Sequence, residues 1–301
     1  MRGKLVKREN RREIKIERSF LTRNYSLHLT KKLCNGCGLC AEICPKEAIE
    51  EVPESIVEGR LAKKPRIDFN IDSCILCGEC AVLCPLCALR MEVDGKEIST
   101  VVKNEAFPIF VREINVREEK CEPDCELRCQ EDCPTEAIRV STKSSEDGKI
   151  LEIVDVEIDE SLCFYCKRCE YFCPENAIEV KKPFNGNVNL NVDLCPEGCM
   201  ACVDICPTHA IQMKEGKPSF TPEFCIFCFA CQKVCPKEAI EANREWVFHA
   251  DIKAAAWLTA LKKLTSAETV AKELMIKSGK RRKTATQKRL IPIDTRSEQP
   301  T

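Results

Sequence analysis

The chain is poor in the residues from which ordinary globular cores and common active sites are built. Its 301 residues include 11 glycines, 3 histidines and only 6% aromatic residues. Residues 1–20 are basic and lack the apolar centre of a signal peptide, and no apolar run approaches the roughly 20 residues that span a bilayer. No Ser-His-Asp set, phosphate-binding loop or flavin site is visible. We expect a cytoplasmic protein without a membrane span or catalytic residues, built from modules too small to form large apolar cores.

Cysteine, by contrast, is abundant and regularly placed: 24 of the 25 cysteines fall into six boxes of four, and each box ends in Cys-Pro. Boxes one to three hold Cys34, Cys37, Cys40 and Cys44; Cys74, Cys77, Cys80 and Cys84; and Cys121, Cys125, Cys129 and Cys133. Boxes four to six hold Cys163, Cys166, Cys169 and Cys173; Cys195, Cys199, Cys202 and Cys206; and Cys225, Cys228, Cys231 and Cys235. Four boxes read C-x2-C-x2-C-x3-C-P, the run that binds 4Fe-4S clusters in bacterial-type ferredoxins. The sequence therefore predicts six 4Fe-4S clusters as cofactors, all 24 cysteines as ligands to their iron, and electron transfer as the function.

Disulfides and zinc are the other common uses of clustered cysteines. Disulfides belong mainly to secreted proteins, and this sequence shows no secretion signal. Zinc sites use paired C-x-x-C motifs, but they need neither a third cysteine at the same spacing nor six Cys-Pro endings. The pattern therefore favours iron–sulfur clusters, which would also supply much of the folding free energy.

The boxes belong to a repeated unit. The phrase that runs from Pro45 to Ile49 returns after every box, and a short β-rich run, such as Ile67 to Ile71, precedes most of them. The unit is thus a strand, a cysteine loop, a short helix that carries the fourth cysteine, a turn and a strand. In such ferredoxins the fourth cysteine binds the cluster of the partner box. We expect Cys84 to join Cys34, Cys37 and Cys40, and Cys44 to join Cys74, Cys77 and Cys80.

The spacing of the boxes predicts which of them pair. Successive fourth cysteines lie 40, 49, 40, 33 and 29 residues apart, which favours pairing of boxes one with two, three with four, and five with six. The fold class is then α+β, with three tandem bacterial-type ferredoxin-like modules and a C-terminal helical hairpin. The expected divisions are a basic N-terminal extension (1–30), module 1 (31–100), a linker (101–118), module 2 (119–184), module 3 (185–243) and a helical, basic C-terminal extension (244–301). A nested arrangement, with box three against box six, is the alternative.

Several positions depart from the repeat. Box three has two extra residues and an acidic Asp132 where other boxes are mostly apolar, and box five has one extra residue. Cys87 stands outside the boxes, and its counterparts share no ligand chemistry, so we expect a bystander near a cluster. The three histidines have no metal spacing and are expected to be surface or packing residues. The residue after each second cysteine varies, which should spread the cluster potentials; these residues are Gly38, Gly78, Glu126, Lys167, Met200 and Phe229.

The two ends of the chain are basic and the middle is acidic. Residues 1–32 and residues 251–289 each hold 11 Lys and Arg against three Asp and Glu. Near the C-terminus, a helix from Ile252 to Leu264 is expected to place Trp257, Ala260, Leu261 and Leu264 on one face. A capping box at Thr265 to Glu268, a second helix over 267–275 and a basic run at 280–283 should follow. We expect these ends to dock on partner subunits; the alternative is that the hairpin packs back on the modules. Nucleic acid is not an expected partner.

The boxes identify the chain as resembling the polyferredoxins. More narrowly it resembles the polyferredoxin subunit of formylmethanofuran dehydrogenase from methanogenic archaea, through the box from Cys74 to Met91, the segment from Asn104 to Pro108, and the passage from Arg244 into the Trp257 helix. This resemblance implies an electron-transfer subunit in methanogenesis. Its partners would be redox subunits of a formylmethanofuran dehydrogenase or heterodisulfide reductase-like complex, with ferredoxin as a further candidate. The sequence leaves open a polyferredoxin of a hydrogenase or other oxidoreductase complex, and a free mobile carrier.

Overall fold

A computed structural model describes residues 3–147, 149–266, 268, 269, 272, 273 and 275. The strands are β1 (Leu5–Glu9), β2 (Glu13–Ser19), β3 (Asn24–Thr30), β4 (Ile49–Val52), β5 (Ser55–Val57), β6 (Arg60–Lys63), β7 (Arg66–Phe69), β8 (Leu89–Val93), β9 (Lys96–Glu97), β10 (Glu113–Val116), β11 (Ile138–Ser144), β12 (Ile150–Ile158), β13 (Ile178–Lys181), β14 (Phe184–Leu190), β15 (Ile211–Lys214), β16 (Lys217–Phe220) and β17 (Ile240–Val247). The helices are α1 (Leu39–Ile43), α2 (Glu79–Val82), α3 (Thr100–Lys103), α4 (Arg128–Glu131), α5 (Arg168–Phe172), α6 (Ala201–Ile205), α7 (Ala230–Lys233) and α8 (Ala255–Thr265). Short 3₁₀ helices cover Glu118–Lys120, Val192–Leu194 and Pro222–Phe224. Within this described part, no helix is both long and apolar enough to cross a membrane.

Neighbouring boxes are joined by antiparallel strand pairs and by contacts between their short helices. In module 1, β4 pairs with β7 and α1 contacts α2. In module 2, β10 pairs with β13, β11 pairs with β12, and α4 contacts α5. In module 3, β14 pairs with β17, β15 pairs with β16, and α6 contacts α7. None of the described strand pairings joins box three to box six, which the nested arrangement would require.

The N-terminal segment is part of a sheet and not a separate extension. Strands β1, β2, β3, β8 and β9 form one five-stranded antiparallel sheet, in which β3 pairs with the strand that follows box two. The segment expected as a basic extension, residues 1–30, supplies three strands of this sheet and so folds together with module 1. Ile14 and Ile16 of β2 and Leu27 and Leu29 of β3 are buried with the apolar residues of module 1. The basic side chains remain toward solvent while the apolar ones supply the burial that keeps the segment folded.

A small hairpin within module 1 reaches module 3. Strands β5 and β6 are joined through Gly59, whose φ is +75°. The Gly59 carbonyl accepts a 2.8 Å hydrogen bond from the backbone N–H of Met200 in box five. A Cβ atom at Gly59 would lie 2.9 Å from the Cα of Cys199, so both the turn and the close approach require glycine. Arg60 adds an ion pair of 2.8 Å with Asp204.

The linker and the first C-terminal helix form an apolar cluster shared by the modules. Trp257 of α8 is fully buried and makes edge contacts with Phe107 and Phe110 of the linker, with ring centroids 5.7 and 5.8 Å apart. Residues of modules 1 and 3, including Leu83 and Phe227, belong to the same cluster. Trp257, Ala260 and Leu264 are buried on one face of α8, as predicted, whereas Leu261, predicted on the same face, is only partly buried. That face packs back on the modules, so it is not a docking surface for a partner subunit.

The end of α8 differs from the sequence prediction. Thr265 lies inside the helix, where its hydroxyl donates to the Leu261 carbonyl at 2.9 Å. Ser266 takes the capping role instead, since its Oγ accepts from the Thr269 N–H at 3.3 Å. The capping box was therefore placed one residue early. Much of the second helix expected over 267–275, and the whole basic run at 280–283, lie outside the described residues.

Candidate metal centres

Three cavities each bring together three cysteines of one box and the fourth cysteine of its partner box. One cavity is lined by Cys74, Cys77 and Cys80 together with Cys44. In module 2, one cavity is lined by Cys121, Cys125, Cys129 and Cys173, and another by Cys163, Cys166, Cys169 and Cys133. The remaining lining is mainly apolar, with conspicuous isoleucine, leucine and proline. The exchange of the fourth cysteine expected for ferredoxin boxes is thus the arrangement seen at these cavities.

In the other three sets, the fourth cysteine of the partner box is among the thiols that act on Cys40, Cys202 and Cys231, although Cys80 of the neighbouring set also acts on Cys40. Burial raises the pKa of Cys40 well above its usual value, and Cys37, Cys80, Cys84 and Cys34 raise it further. Burial likewise raises the pKa of Cys202 to about 12, followed by the effects of Cys199, Cys195 and Cys235. The pKa of Cys231 is also raised, first by burial and then by Cys228, Cys206 and Cys225. We name the resulting groups set A (Cys34, Cys37, Cys40, Cys84), set B (Cys74, Cys77, Cys80, Cys44), set C (Cys121, Cys125, Cys129, Cys173), set D (Cys163, Cys166, Cys169, Cys133), set E (Cys195, Cys199, Cys202, Cys235) and set F (Cys225, Cys228, Cys231, Cys206).

These raised pKa values bear on what the sets can hold. Four thiolates cannot stay ionised together in a buried, apolar cavity without positive charge to offset them. Iron supplies that charge, and thiolate is the ligand of 4Fe-4S clusters. Among the described residues, no three His, Cys, Asp or Glu side chains stand close enough together to hold a single metal ion. A cluster places different demands on its ligands, because each thiolate binds a different iron. The donor type, the number of donors and the apolar surroundings of the sets fit this group.

A repeated turn carries backbone donors to the fourth cysteine of each box. Two residues after every Cys-Pro proline, the backbone has a positive φ between 49° and 57°, at Glu47, Cys87, Glu136, Asn176, His209 and Glu238. The alanine that follows is almost fully buried in all six boxes. In four of them its N–H donates to the cysteine Sγ at 3.2–3.3 Å, namely Ala48 to Cys44, Ala137 to Cys133, Ala177 to Cys173 and Ala239 to Cys235. Such bonds stabilise sulfur-centred negative charge. The recurring alanine was visible in the sequence phrase, but its role as a donor was not predicted.

The residue after each second cysteine turns the chain into the box helix. Gly38, Gly78, Lys167 and Phe229 precede their helices with φ between 68° and 86°. Met200 does not, with φ of −124°, because the extra residue of box five changes the path of the loop. Lys167 forms an ion pair of 3.2 Å with Glu170. The Glu170 carboxylate therefore offsets part of the positive charge that Lys167 places near the box.

Asp132, the acidic residue that makes box three unusual, has a specific partner. Arg168 of box four donates to the Asp132 carboxylate at 3.2 Å and to its carbonyl at 3.0 Å. The Arg168 side chain is buried, and its Nη1 has no hydrogen-bond partner in the described structure. A buried donor of this kind beside Cys166 and Cys169 fits an anionic group held by set D. Asp132 therefore helps to position Arg168 beside set D. Its presence in box three does not indicate that this box has lost the ability to bind a cluster.

The three histidines and Cys87 belong to none of the six sets. His28 is buried on β3, 3.1 Å from the Ser26 hydroxyl, and the His249 ring stacks edge-on against Trp257 at 4.8 Å. His209 occupies the left-handed turn position of box five. Cys87 has a different setting: its thiol contacts the Cys163 carbonyl at 3.7 Å, and Arg112 donates to its Sγ at 3.3 Å. It therefore sits between a box of module 1 and a box of module 2.

The fold and the thiol sets together define a class. Paired cysteine boxes on short antiparallel strands, with the fourth cysteine exchanged between boxes, are the features of ferredoxin-type iron–sulfur proteins. The chain belongs to the family described as the 4Fe-4S dicluster domain, whose model matches residues 33–88, 103–182 and 194–239, more than half of the sequence.

Two curated relatives and one solved structure are similar to the chain. The pyruvate synthase subunit PorD of Methanocaldococcus jannaschii is 41% identical over 61 residues, which cover 20% of this chain and 67% of that protein. The polyferredoxin protein MvhB of Methanothermus fervidus is 36% identical over 64 residues, 21% of this chain and 15% of that one. A chain of the formate dehydrogenase, heterodisulfide reductase and formylmethanofuran dehydrogenase complex from Methanospirillum hungatei superposes with a TM-score of 0.74 and 28% identity, over 88% of this chain and 92% of that chain. The chain is thus an iron–sulfur protein of the polyferredoxin type, and its non-catalytic, electron-transfer character is that of a subunit of oxidoreductase complexes.

Proposed function

We propose that the chain carries six 4Fe-4S clusters, one on each of sets A to F, in three tandem dicluster modules. The observation that carries this proposal is the grouping of cysteines around the three cavities, where the members come from both boxes of a pair. For the other three sets, support comes from Cys84, Cys235 and Cys206, each of which lies near enough to a thiol of its partner box to raise the pKa of that thiol. Each cluster supplies reversible one-electron transfer, which is the chemistry that the chain would offer to its partners.

The protein's own residues would make that transfer repeatable. Buried leucine, isoleucine and phenylalanine side chains exclude water from the thiols, and alanine N–H groups hold the fourth cysteines through hydrogen bonds. Clusters held in this way exchange electrons without rearranging their ligands. The six sets would therefore form a conduit within one chain, with no need for a substrate pocket.

The partner that we propose is a formylmethanofuran dehydrogenase-type complex that reduces CO2 in methanogenesis. Support comes from the solved structure that covers 88% of this chain and contains such an enzyme. A cytoplasmic location and binding through the basic end near residues 280–283 belong to the same proposal. A subunit of another oxidoreductase complex is the second candidate, favoured by the similarity to a pyruvate synthase subunit. A free mobile carrier is the third.

Anaerobic native purification with a tag on this chain separates these candidates. A conduit subunit should co-purify at fixed stoichiometry with subunits that bind a pterin-held tungsten or molybdenum, identified by mass spectrometry and metal analysis. Recovery of pyruvate synthase subunits instead would support the second candidate. Recovery of the chain alone, in a form that still accepts and donates electrons, would make it a mobile carrier and contradict the proposed role.

A further inference from the structure

Three of the six cysteine sets approach a cysteine set of another module, whereas set E meets only the β5–β6 hairpin of module 1. Between modules 1 and 3, the Asn35 amide donates to the Cys228 Sγ at 3.5 Å, so a residue of box one contacts a thiol of set F. Cys228 also stands next to Cys37 of set A, where, after burial, it is the thiol with the largest effect on the Cys37 pKa. Between modules 1 and 2, Cys87 lies between Cys84 of set A and Cys163 of set D.

The contact between modules 2 and 3 completes a triangle. Lys182 of module 2 donates to the carbonyl of Cys225 in set F at 2.9 Å. Its charge also interacts with Cys166 of set D. Sets A, D and F therefore approach one another pairwise, and they are called the inner sets below. Sets B, C and E, one in each module, are the outer sets.

Each of the three contacts carries at least one partly or fully buried cation. Arg244 lies between modules 1 and 3, only 3% exposed; it donates to the Phe227 carbonyl at 2.9 Å and stacks on Phe229 at 3.9 Å. Its charge interacts with Cys37, Cys228 and Cys225, and with the carboxylate of Glu42. Sets A and F therefore share this guanidinium.

The other two contacts are similar. Arg112, between modules 1 and 2, donates to the carbonyl of the ligand Cys84 at 2.9 Å and to the Cys87 thiol at 3.3 Å. Between modules 2 and 3, Arg168 stacks on Phe224 at 4.8 Å beside Lys182. The Asp132 carboxylate offsets part of the Arg168 charge.

The surroundings of set C are different, whereas outer sets B and E each have one cation acting on a cysteine, Arg18 on Cys74 and Lys217 on Cys195. All four cysteines of set C are partly exposed. The neighbouring Glu118 and Glu119 add negative charge, which acts on Cys121 after the effects of burial and of Cys173 and Cys125. Set C is therefore surrounded by solvent and acidic side chains, whereas the inner sets have buried or partly buried cations beside them.

We propose that the inner sets form a three-way branch point. There Arg112, Arg168, Lys182 and Arg244 would stabilise the reduced form of a bound cluster, so that an electron resides on the inner sets in preference to the outer sets. This inference rests on the proposed six-cluster function. Reduction adds one electron, taken from a low-potential one-electron donor, and makes a cluster more negative by one charge. A buried cation nearby stabilises that form more than water-exposed charges can. Electrons that enter by any outer set would therefore collect at the inner sets and leave by another arm, so one chain could connect three redox partners.

The test is a redox titration of the purified full-length protein, followed by electron paramagnetic resonance. In Arg244→Gln, we expect the signals of highest midpoint potential to move to lower potential, by at least a tenfold change in the reduced-to-oxidised ratio, which is about 59 mV for one electron. Arg244→Lys keeps the charge and should recover most of the shift. Arg8→Gln removes an arginine whose side chain is 72% exposed on β1 and should change nothing. Lys182→Gln is a second test that removes a less buried cation.

Ligand variants test the branch point itself. Cys129→Ala removes a ligand of outer set C and should leave the highest-potential signals in place, whereas Cys166→Ala, in inner set D, should remove one of them. Iron content is measured on every sample. Wild-type protein with fewer than six clusters would refute the proposed function. A full iron load with unchanged potentials in both Arg244→Gln and Lys182→Gln, or loss of the highest-potential signal in Cys129→Ala, would refute the branch point alone. Equal shifts in Arg244→Gln and Arg244→Lys would show a packing effect and would also overturn the assignment to charge.

Discussion

Replacing Cys44 with alanine is expected to damage the cluster bound by Cys74, Cys77 and Cys80, although Cys44 belongs to the other box. The cavity of set B contains Cys44, while its box-mates Cys37 and Cys40 do not line that cavity. Loss of one of four thiolates leaves one iron without a protein ligand, so roughly one to four iron atoms per chain should be lost, all of them from this cluster. The spectrum of Cys44→Ala should match that of Cys77→Ala and differ from that of Cys37→Ala.

Cys87→Ala is the matched control for this comparison. Cys87 lies three residues from the ligand Cys84, yet it belongs to none of the six sets, so its replacement should leave the iron content unchanged. Retention of the Cys77-type signal in Cys44→Ala, with loss of the Cys37-type signal, would show that each box binds its own cluster. The exchange between boxes would then be wrong for this chain.

Removing residues 251–301 is expected to destabilise the whole protein strongly. The deletion removes Trp257, Ala260 and Leu264, and it exposes Phe107, Phe110 and Phe184, which they cover. Loss of the Trp257 packing alone corresponds to about 3–5 kcal/mol, or roughly 10 °C in melting temperature for a protein of this size. Thermal unfolding followed by circular dichroism measures the change. No cysteine is removed, so iron content at low temperature should stay that of the full chain.

A shorter deletion, of residues 276–301, provides the control. It keeps α8 and removes the basic run at 280–283, so the melting temperature should remain close to that of the full chain. Co-purification of the proposed partner should weaken, since positive charge that steers association is lost. Equal melting temperatures for both truncations would mean that α8 does not stabilise the modules. Undiminished partner recovery after the shorter deletion would contradict docking through the basic end.

The sequence predicted the sites better than the assembly of the modules. The boxes could be read because ligand spacing is local: the loop from Cys163 to Cys169 and the helix that follows it are set by a few residues. The Ile-Lys-Ile alternation of β2 was also a readable strand signal, but the basic charge of the segment obscured it. A segment can have a charged face and still bury alternate residues in a sheet.

The contacts between modules could not have been predicted in this way. Arg244, Arg112 and Lys182 meet cysteines that are distant in sequence, and no repeat or motif marks them. The pairing of Arg168 with Asp132 joins two boxes whose relation depends on the folded module. The position of α8 could not be predicted because an amphipathic helix can bury its apolar face against its own modules or against a partner subunit. The sequence pattern is the same in both cases.

The number of clusters is the central claim, and metal analysis of the intact protein tests it most directly. Protein purified without oxygen should contain about 24 iron and about 24 acid-labile sulfide per chain, and native mass spectrometry should show one species that carries six 4Fe-4S units. Zinc in place of iron, or a stable species with about half of this load while all 24 box cysteines are intact, would contradict the six-cluster account.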